Sequence, residues 1–119
     1  MMSAAKSIAE AFVSDVGIFL PEDGWVRLKE KSRHDITLSA SETAVAAWVY
    51  ANGRPAGKGT KTLSSAAWYY IPLKLKDRTI GVIGLRSANP DELLTSEQDQ
   101  LLESFASVVA LSISKTIEK

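Results

Sequence analysis

The apolar positions of this chain change period several times, and each change marks an element. Between Ser3 and Val13, Ala5, Ile8, Ala9 and Phe12 fall at helical spacing, which predicts a short helix with one apolar stripe. From Val16 the period drops to two. Val16, Ile18 and Leu20 alternate with Asp15, Gly17 and Phe19, and Pro21-Glu22-Asp23-Gly24 supplies the proline and glycine of a turn. Trp25 to Lys31 reads as a second strand, with Trp25, Arg27, Lys29 and Lys31 on one face and Val26, Leu28 and Glu30 on the other. The two strands are expected to pair as a hairpin.

Ser39 with Glu42 three residues on has the form of a capping box, in which each side chain satisfies a backbone amide left open at a helix start. Ala44, Val45, Trp48 and Val49 then repeat at helical spacing, and Asn52-Gly53 provides a left-handed stop, so a second helix is predicted from Ala40 to Ala51. Arg54 to Ala67 has no regular period and is rich in glycine, serine and threonine. It reads as a loop of about 14 residues, long enough in a small domain to be a candidate for function.

Alternation returns from Trp68 to Lys76. Tyr69, Ile71, Leu73 and Leu75 form one apolar row, and Trp68, Tyr70, Pro72, Lys74 and Lys76 form the other, which turns from aromatic to basic along the strand. Ile80 to Leu85 is nearly continuously apolar, as expected of a central strand buried on both faces. Gly81 and Gly84 fall on its two faces, each suggesting that a helix or ligand packs closely over it. Thr95 and Gln98 offer another capping box, with Asp91, Glu92, Glu97 and Asp99 suited to the positive end of a helix dipole. Leu101, Leu102, Phe105, Val108, Val109, Leu111, Ile113 and Ile117 then populate a helix from Ser96 to Glu118, about 34 Å long at ~1.5 Å per residue. The order helix, strand, strand, helix, loop, strand, strand, helix predicts one α+β domain with an antiparallel sheet and flanking helices.

Composition narrows the function classes. At 119 residues the chain fits one hydrophobic core, so residues 1–119 are expected to be a single domain, cut from something longer. There are 14 basic and 14 acidic residues, a balance that gives no general attraction to nucleic acid or anionic membrane. The charges are nevertheless segregated. Arg54 to Arg86 holds Arg54, Lys58, Lys61, Lys74, Lys76, Arg78 and Arg86 against Asp77 alone, whereas Ala88 to Glu103 holds Asp91, Glu92, Glu97, Asp99 and Glu103 with no base. Without cysteine there is no disulfide or thiolate chemistry, and no apolar run is long enough for a membrane-spanning helix or secretory signal. The chain reads as cytoplasmic, with no direct membrane insertion.

The candidate chemistry is sparse. His34 is the single histidine, and a metal site would have to be completed by carboxylates such as Asp35, so it is read as an exposed histidine at a turn; no metal, cofactor or catalytic group is expected. Gly57, Lys58, Gly59, Thr60, Lys61 and Thr62 have the composition of a phosphate loop, but lack its spacing and lead into a strand. Non-catalytic anion binding and a structural loop with solvated lysines both stay open. Trp48 and Tyr69 are assigned to the core. Trp68 and Tyr70 either pack beneath the second helix or line a pocket rimmed by Arg54, Lys58, Lys61 and Thr62, suited to a planar or anionic small molecule such as a nucleotide. Arg27, Lys29, Lys31 and Arg33 are read as a solvated sheet face or edge, without a nucleic-acid partner. Leu111, Ile113 and Ile117 extend the apolar zone of the last helix and are the candidate interface for a homodimer or coiled-coil continuation.

Ser41-Glu42-Thr43-Ala44-Val45-Ala46-Ala47-Trp48-Val49, then Ala56-Gly57-Lys58-Gly59-Thr60-Lys61-Thr62-Leu63 and Tyr70-Ile71-Pro72-Leu73, closely resemble the GAF domain of KdpD-type osmosensitive potassium sensor histidine kinases. Leu94-Thr95-Ser96-Glu97-Gln98-Asp99 and the helix after it fit the same pattern. The resemblance implies a GAF-like fold of the PAS/profilin-like type. It also implies a cytoplasmic regulatory segment lying between the membrane spans and the kinase core of a two-component receptor for potassium limitation or osmotic stress, with the adjoining regions of that kinase as partners. The phosphoacceptor and ATP-binding boxes of such kinases are absent from these 119 residues, so no enzymatic role is expected of the segment itself.

Overall fold

The computed structural model describes residues 4–12, 14–87 and 94–117. The elements, in order, are α1 (Ala4–Phe12), β1 (Ser14–Glu22), β2 (Trp25–Lys31), α2 (Ala40–Asn52), β3 (Ala56–Gly57), β4 (Tyr69–Leu75), β5 (Arg78–Ser87) and α3 (Ser96–Ile117). The strands form one sheet in the order β2-β1-β5-β4-β3, with every neighbouring pair antiparallel. This is the predicted α+β arrangement. The continuously apolar strand β5 lies at its centre, buried without interruption from Ile80 to Leu85.

The pleat of the sheet divides the core in two. On one side α1 and α3 cover Val16, Ile18, Ile71, Leu73, Ile83 and Leu85, and Ile8, Phe12, Leu102, Ala106 and Val109 complete the layer. The Phe12 and Phe105 rings meet edge-on there at 6.1 Å, which ties the two helices together. On the other side α2 packs Ala46 and Val49 against Phe19, Val26, Trp68, Tyr70 and Val82. Period-two alternation in β1 thus becomes burial on both faces from Val16 to Phe19, because Val16 and Ile18 lie in the α1 and α3 layer and Phe19 in the α2 layer.

Several local predictions hold and others need correcting. Ser39 caps α2 by accepting from the Glu42 N–H at 3.2 Å, and Gly53 ends the helix in the left-handed region, its N–H bonded to Val49 O. The return half of that capping box does not form; the Glu42 carboxylate is used elsewhere. At α3 both halves are present: Thr95 N–H donates to Gln98 Oε1 at 2.9 Å, and Gln98 N–H to Thr95 Oγ1 at 3.1 Å. Asp91 and Glu92, expected near that helix start, lie outside the described residues. The loop expected over Arg54 to Ala67 contains the short edge strand β3, paired with Tyr69 and Tyr70. Beyond Tyr70 this side of β4 has no strand partner, and Pro72, which lacks an N–H to donate, lies in that stretch.

The atoms nearest to the glycines of β5 belong to the neighbouring strands. A Cβ on Gly84 would lie 2.8 Å from the Tyr70 ring, and one on Gly81 would lie 2.8 Å from Phe19 O and 3.0 Å from Leu73 Cδ1. The neighbouring strands themselves fill the space. In α3 the predicted stripe is also redistributed. Leu102, Ala106, Val109 and Ala110 are buried and Phe105 and Ile113 pack against the same layer, whereas Leu101, Val108 and Leu111 are 48%, 62% and 54% exposed.

Candidate functional site

The residues singled out as a ligand pocket are separated by the fold. Trp68 and Tyr70 are buried in the α2-side core, at 1% and 0% exposure, with Tyr70 edge-on to Phe19 at 5.9 Å. Of the two readings open for them, packing beneath the second helix is the one the structure realises; they do not line an open pocket. The buried Tyr70 hydroxyl is satisfied by the Glu42 carboxylate, which accepts from Tyr70 OH at 2.6 Å and from the Ala67 N–H at 2.8 Å. One side chain on the first turn of α2 thereby holds down both the ring in β4 and the loop before it. Burial, and then the hydrogen bond to this carboxylate, push the Tyr70 phenol well above its ordinary range, because an ionised phenol there would be desolvated and repelled.

The glycine and threonine loop is closed on itself. Gly57 N–H donates to Thr62 O at 2.9 Å, Thr60 N–H to Gly57 O at 3.0 Å, and Lys58 N–H to Trp68 O at 3.0 Å. The Thr60 hydroxyl accepts from the Thr62 N–H at 3.1 Å and lies 2.7 Å from Thr62 O and 2.8 Å from Gly57 O. Gly57 has φ 102°, and a Cβ there would sit 2.2 Å from Trp68 O, so only glycine fits. A phosphate cradle needs amides pointing outward. Here the amides of Gly57, Lys58, Thr60 and Thr62 are already bonded to protein oxygens, which favours the structural-loop reading for these four positions. Arg54, Lys61 and Thr62 take no part in the groove described next; Arg54 and Lys61 are exposed.

That groove, about 620 Å³ in volume, opens at the other end of the loop. Lys58, Gly59 and Thr60 form one wall, Tyr69, Leu85 and Arg86 the floor, and Thr95, Gln98 and Asp99 at the start of α3 the opposite wall. Its charged groups are paired. Asp15 accepts from Arg86 Nη2 at 2.6 Å and from Arg86 Nε at 3.2 Å, and also faces Arg33 Nε at 3.1 Å. Arg86 in turn lies over the Trp68 ring at 5.0 Å, a cation–π contact linking the groove to the opposite core layer. Tyr69, expected in the core, is only partly buried and donates to Asp99 at 2.7 Å. Its phenol too is pushed upward, first by burial and then by that bond. A second, shallower cavity between α1 and the start of β1 is lined by Lys6, Glu10, Asp15 and Arg33.

His34 is exposed in the turn after β2, and among the described residues no three His, Cys, Asp or Glu side chains cluster as metal ligands. No helix among those residues is long and apolar enough to cross a membrane. The candidate helix interface also divides: Leu111 faces outward, Ile113 packs on the core, and the Ile117 side chain lies outside the described residues. The outward apolar face of α3 is instead Leu101, Val108 and Leu111, at spacings of seven and three. The apolar pattern of the helix did not separate Leu101 and Val108 from its packed positions, and it left unmarked the roles of Asp15, Arg86 and the Glu42 carboxylate. A carboxylate two to three residues into a helix was the available sign for Glu42; the Asp15–Arg86 pair spans 71 residues and left none.

The family model described as GAF domain matches residues 1–115 of the chain. The chain is 32% identical over 113 residues, or 95% of its length, to the Sensor protein KdpD of Escherichia coli strain K12. It is 32% identical over 94 residues, or 78% of its length, to the Sensor protein KdpD of Clostridium acetobutylicum. It spans 12% and 10% of those two proteins. Among solved structures, the native GAF domain of the potassium sensor histidine kinase KdpD from Escherichia coli superimposes with a TM-score of 0.78 and 31% identity, covering 94% of this chain and 77% of that one. A segment of a methyl-accepting chemotaxis protein superimposes with a TM-score of 0.71 at 12% identity, covering 94% of this chain and 85% of its own, a likeness of fold alone.

Proposed function

This chain belongs to the GAF domain family, in the branch of the KdpD sensor domain, and from that premise we propose that it is the non-catalytic signal-relay segment of a two-component sensor histidine kinase. The observation that carries the reading is the sustained identity with the KdpD GAF domain over 94% of this chain, together with the same fold. The parent kinase responds to potassium limitation or osmotic stress, is anchored in the inner membrane and holds this domain in the cytoplasm. The domain's partners are the adjoining segments of that kinase and a second copy of itself. Leu101, Val108 and Leu111, exposed on one side of a 22-residue helix whose other side is committed to the core, are the residues that bring two copies together. A shift of α3 relative to the sheet is the signal. Such a shift requires two arrangements with different output, which an effector biases by binding one better than the other.

The reading as a nucleotide-like anion binder is the weaker of the two. Its aromatic pair is buried, and four of its loop amides are already bonded. Any small molecule the domain reads belongs in the groove between Lys58 and Asp99.

The test exchanges the GAF segment of the Escherichia coli kinase for this chain and follows autophosphorylation at low and high potassium. The chimera is expected to respond to potassium, and the double substitution Leu101→Asp, Leu111→Asp to change that response while the isolated domain melts as before. A chimera indistinguishable from a kinase lacking the segment would sink the relay reading.

A further inference from the structure

The charges of this neutral chain are sorted in space as well as along the sequence. β1 and β5 are paired antiparallel as far as Phe19 opposite Val82, so the β1–β2 turn and the β4–β5 turn project side by side from one end of the sheet. The end of α2 arrives there too, because a Cβ on Gly53 would lie 3.1 Å from Thr79 Oγ1 and 3.5 Å from Lys74 Nζ. This end carries Arg54, Lys74, Lys76 and Arg78. All four are exposed, and among the described residues none of them takes part in an ion pair. The carboxylates beside them are Asp23 and Asp77, while Glu22 is already held between Arg27 and Lys29. At the tip of the β1–β2 hairpin stands Trp25, 53% exposed on the edge strand of the sheet.

We propose that this end of the sheet is a peripheral docking face for an anionic lipid bilayer, with phosphate headgroups meeting Arg54, Lys74, Lys76 and Arg78 and the Trp25 indole entering the headgroup layer. Unpaired cations on a surface are attracted to anionic headgroups within a Debye length. An indole, apolar with one N–H donor, is stabilised at that same depth. The exposed indole beside these cations favours a bilayer over an acidic protein, because a headgroup layer stabilises an amphipathic ring as well as the charges. The groups sit on turn tips and a helix end that project from the molecule, and neither cavity described above reaches them. A projecting set of long side chains conforms to a soft, flat surface. Contact of this kind needs no inserted segment and does not depend on the relay reading.

The experiment is co-sedimentation of the 119-residue chain with vesicles of phosphatidylcholine alone and of phosphatidylcholine mixed with phosphatidylglycerol. Binding is expected only to the mixed vesicles and is expected to fall steeply with added salt. Each cation is expected to contribute roughly fivefold, so Lys74→Glu, Lys76→Glu, Arg78→Glu together should weaken binding by more than about a hundredfold. The tryptophan emission should move to the blue on binding, and Trp25→Ala should abolish that movement while Trp48 and Trp68 remain. Equal binding to both vesicle types, or undiminished binding by the triple variant, would overturn the proposal. So would capture by a polyglutamate resin without binding to mixed vesicles, which would reassign the face to an acidic protein. Should the triple variant melt early, the unsubstituted chain decides the matter: an emission shift with mixed vesicles supports docking, and its absence refutes it.

Discussion

The two faces of the sheet are closed by different means. On the α1 and α3 side, mostly aliphatic residues interlock with two helices, and the polar tie at its margin is the Tyr69 hydroxyl on Asp99. On the α2 side one helix covers large aromatic rings, and the Glu42 carboxylate fastens them from its edge. The first face is broad and its outer helix retains a second apolar side; the second is shut. On the proposed relay reading, the first layer is the one that shifts and the second is the one that keeps the sheet intact.

The largest expected effect comes from opening the shut face. Trp68→Ala removes a fully buried indole and should destabilise the domain by about 3–5 kcal/mol in urea unfolding. A loss under about 1 kcal/mol would mean that this layer does not hold the sheet together.

Next comes the fastening itself. Glu42→Ala leaves the buried Tyr70 hydroxyl and the Ala67 N–H without their acceptor, and should cost about 2–3 kcal/mol. Tyr70→Phe should cost less, because the carboxylate keeps the Ala67 amide. A double-mutant cycle should show the pair strongly coupled, and simple additivity would refute the latch. The same contact gives an alkaline limit. The Tyr70 phenol is raised in the folded state, so the unfolded chain releases this proton first, from about pH 10. Stability from this group is therefore complete below about pH 10 and declines above it. Thermal melts of the parent chain should fall in that range more steeply than those of Tyr70→Phe.

The smallest effects on stability separate the two sides of α3. Ile113→Ala, on the packed side, should cost about 1–2 kcal/mol, partial burial reducing the usual core penalty. Leu111→Ala, on the outward side, should stay within about 0.5 kcal/mol yet shift sedimentation from dimer toward monomer. Equal losses at both positions would remove the distinction between a structural and an associating side.

Much of the fold is legible from local patterns. The central position of β5 follows from its unbroken apolar run, and both helix starts and the Gly53 stop follow from residues within a few positions of each other. The two-residue strand β3 escaped because so short a stretch has no period to detect. The candidate site was less legible. Gly57 to Thr62 has the composition of an anion loop, but composition does not say where the amides point, and the contact that closes the turn includes Trp68, several residues away.

What the sequence by itself determined is the order of the longer elements, the antiparallel sheet, its central strand and where helices α2 and α3 begin, because each depends on neighbours along the chain or on burial averaged over an element. Only the tertiary structure decided that Trp68 and Tyr70 are covered, that Glu42 abandons its capping role for Tyr70, and that Leu101 rather than Ile113 faces outward. Those outcomes depend on how residues about 28 positions apart meet in space. An amphipathic pattern names the apolar side chains of a helix, while the width of the surface it rests on determines how many of them are buried.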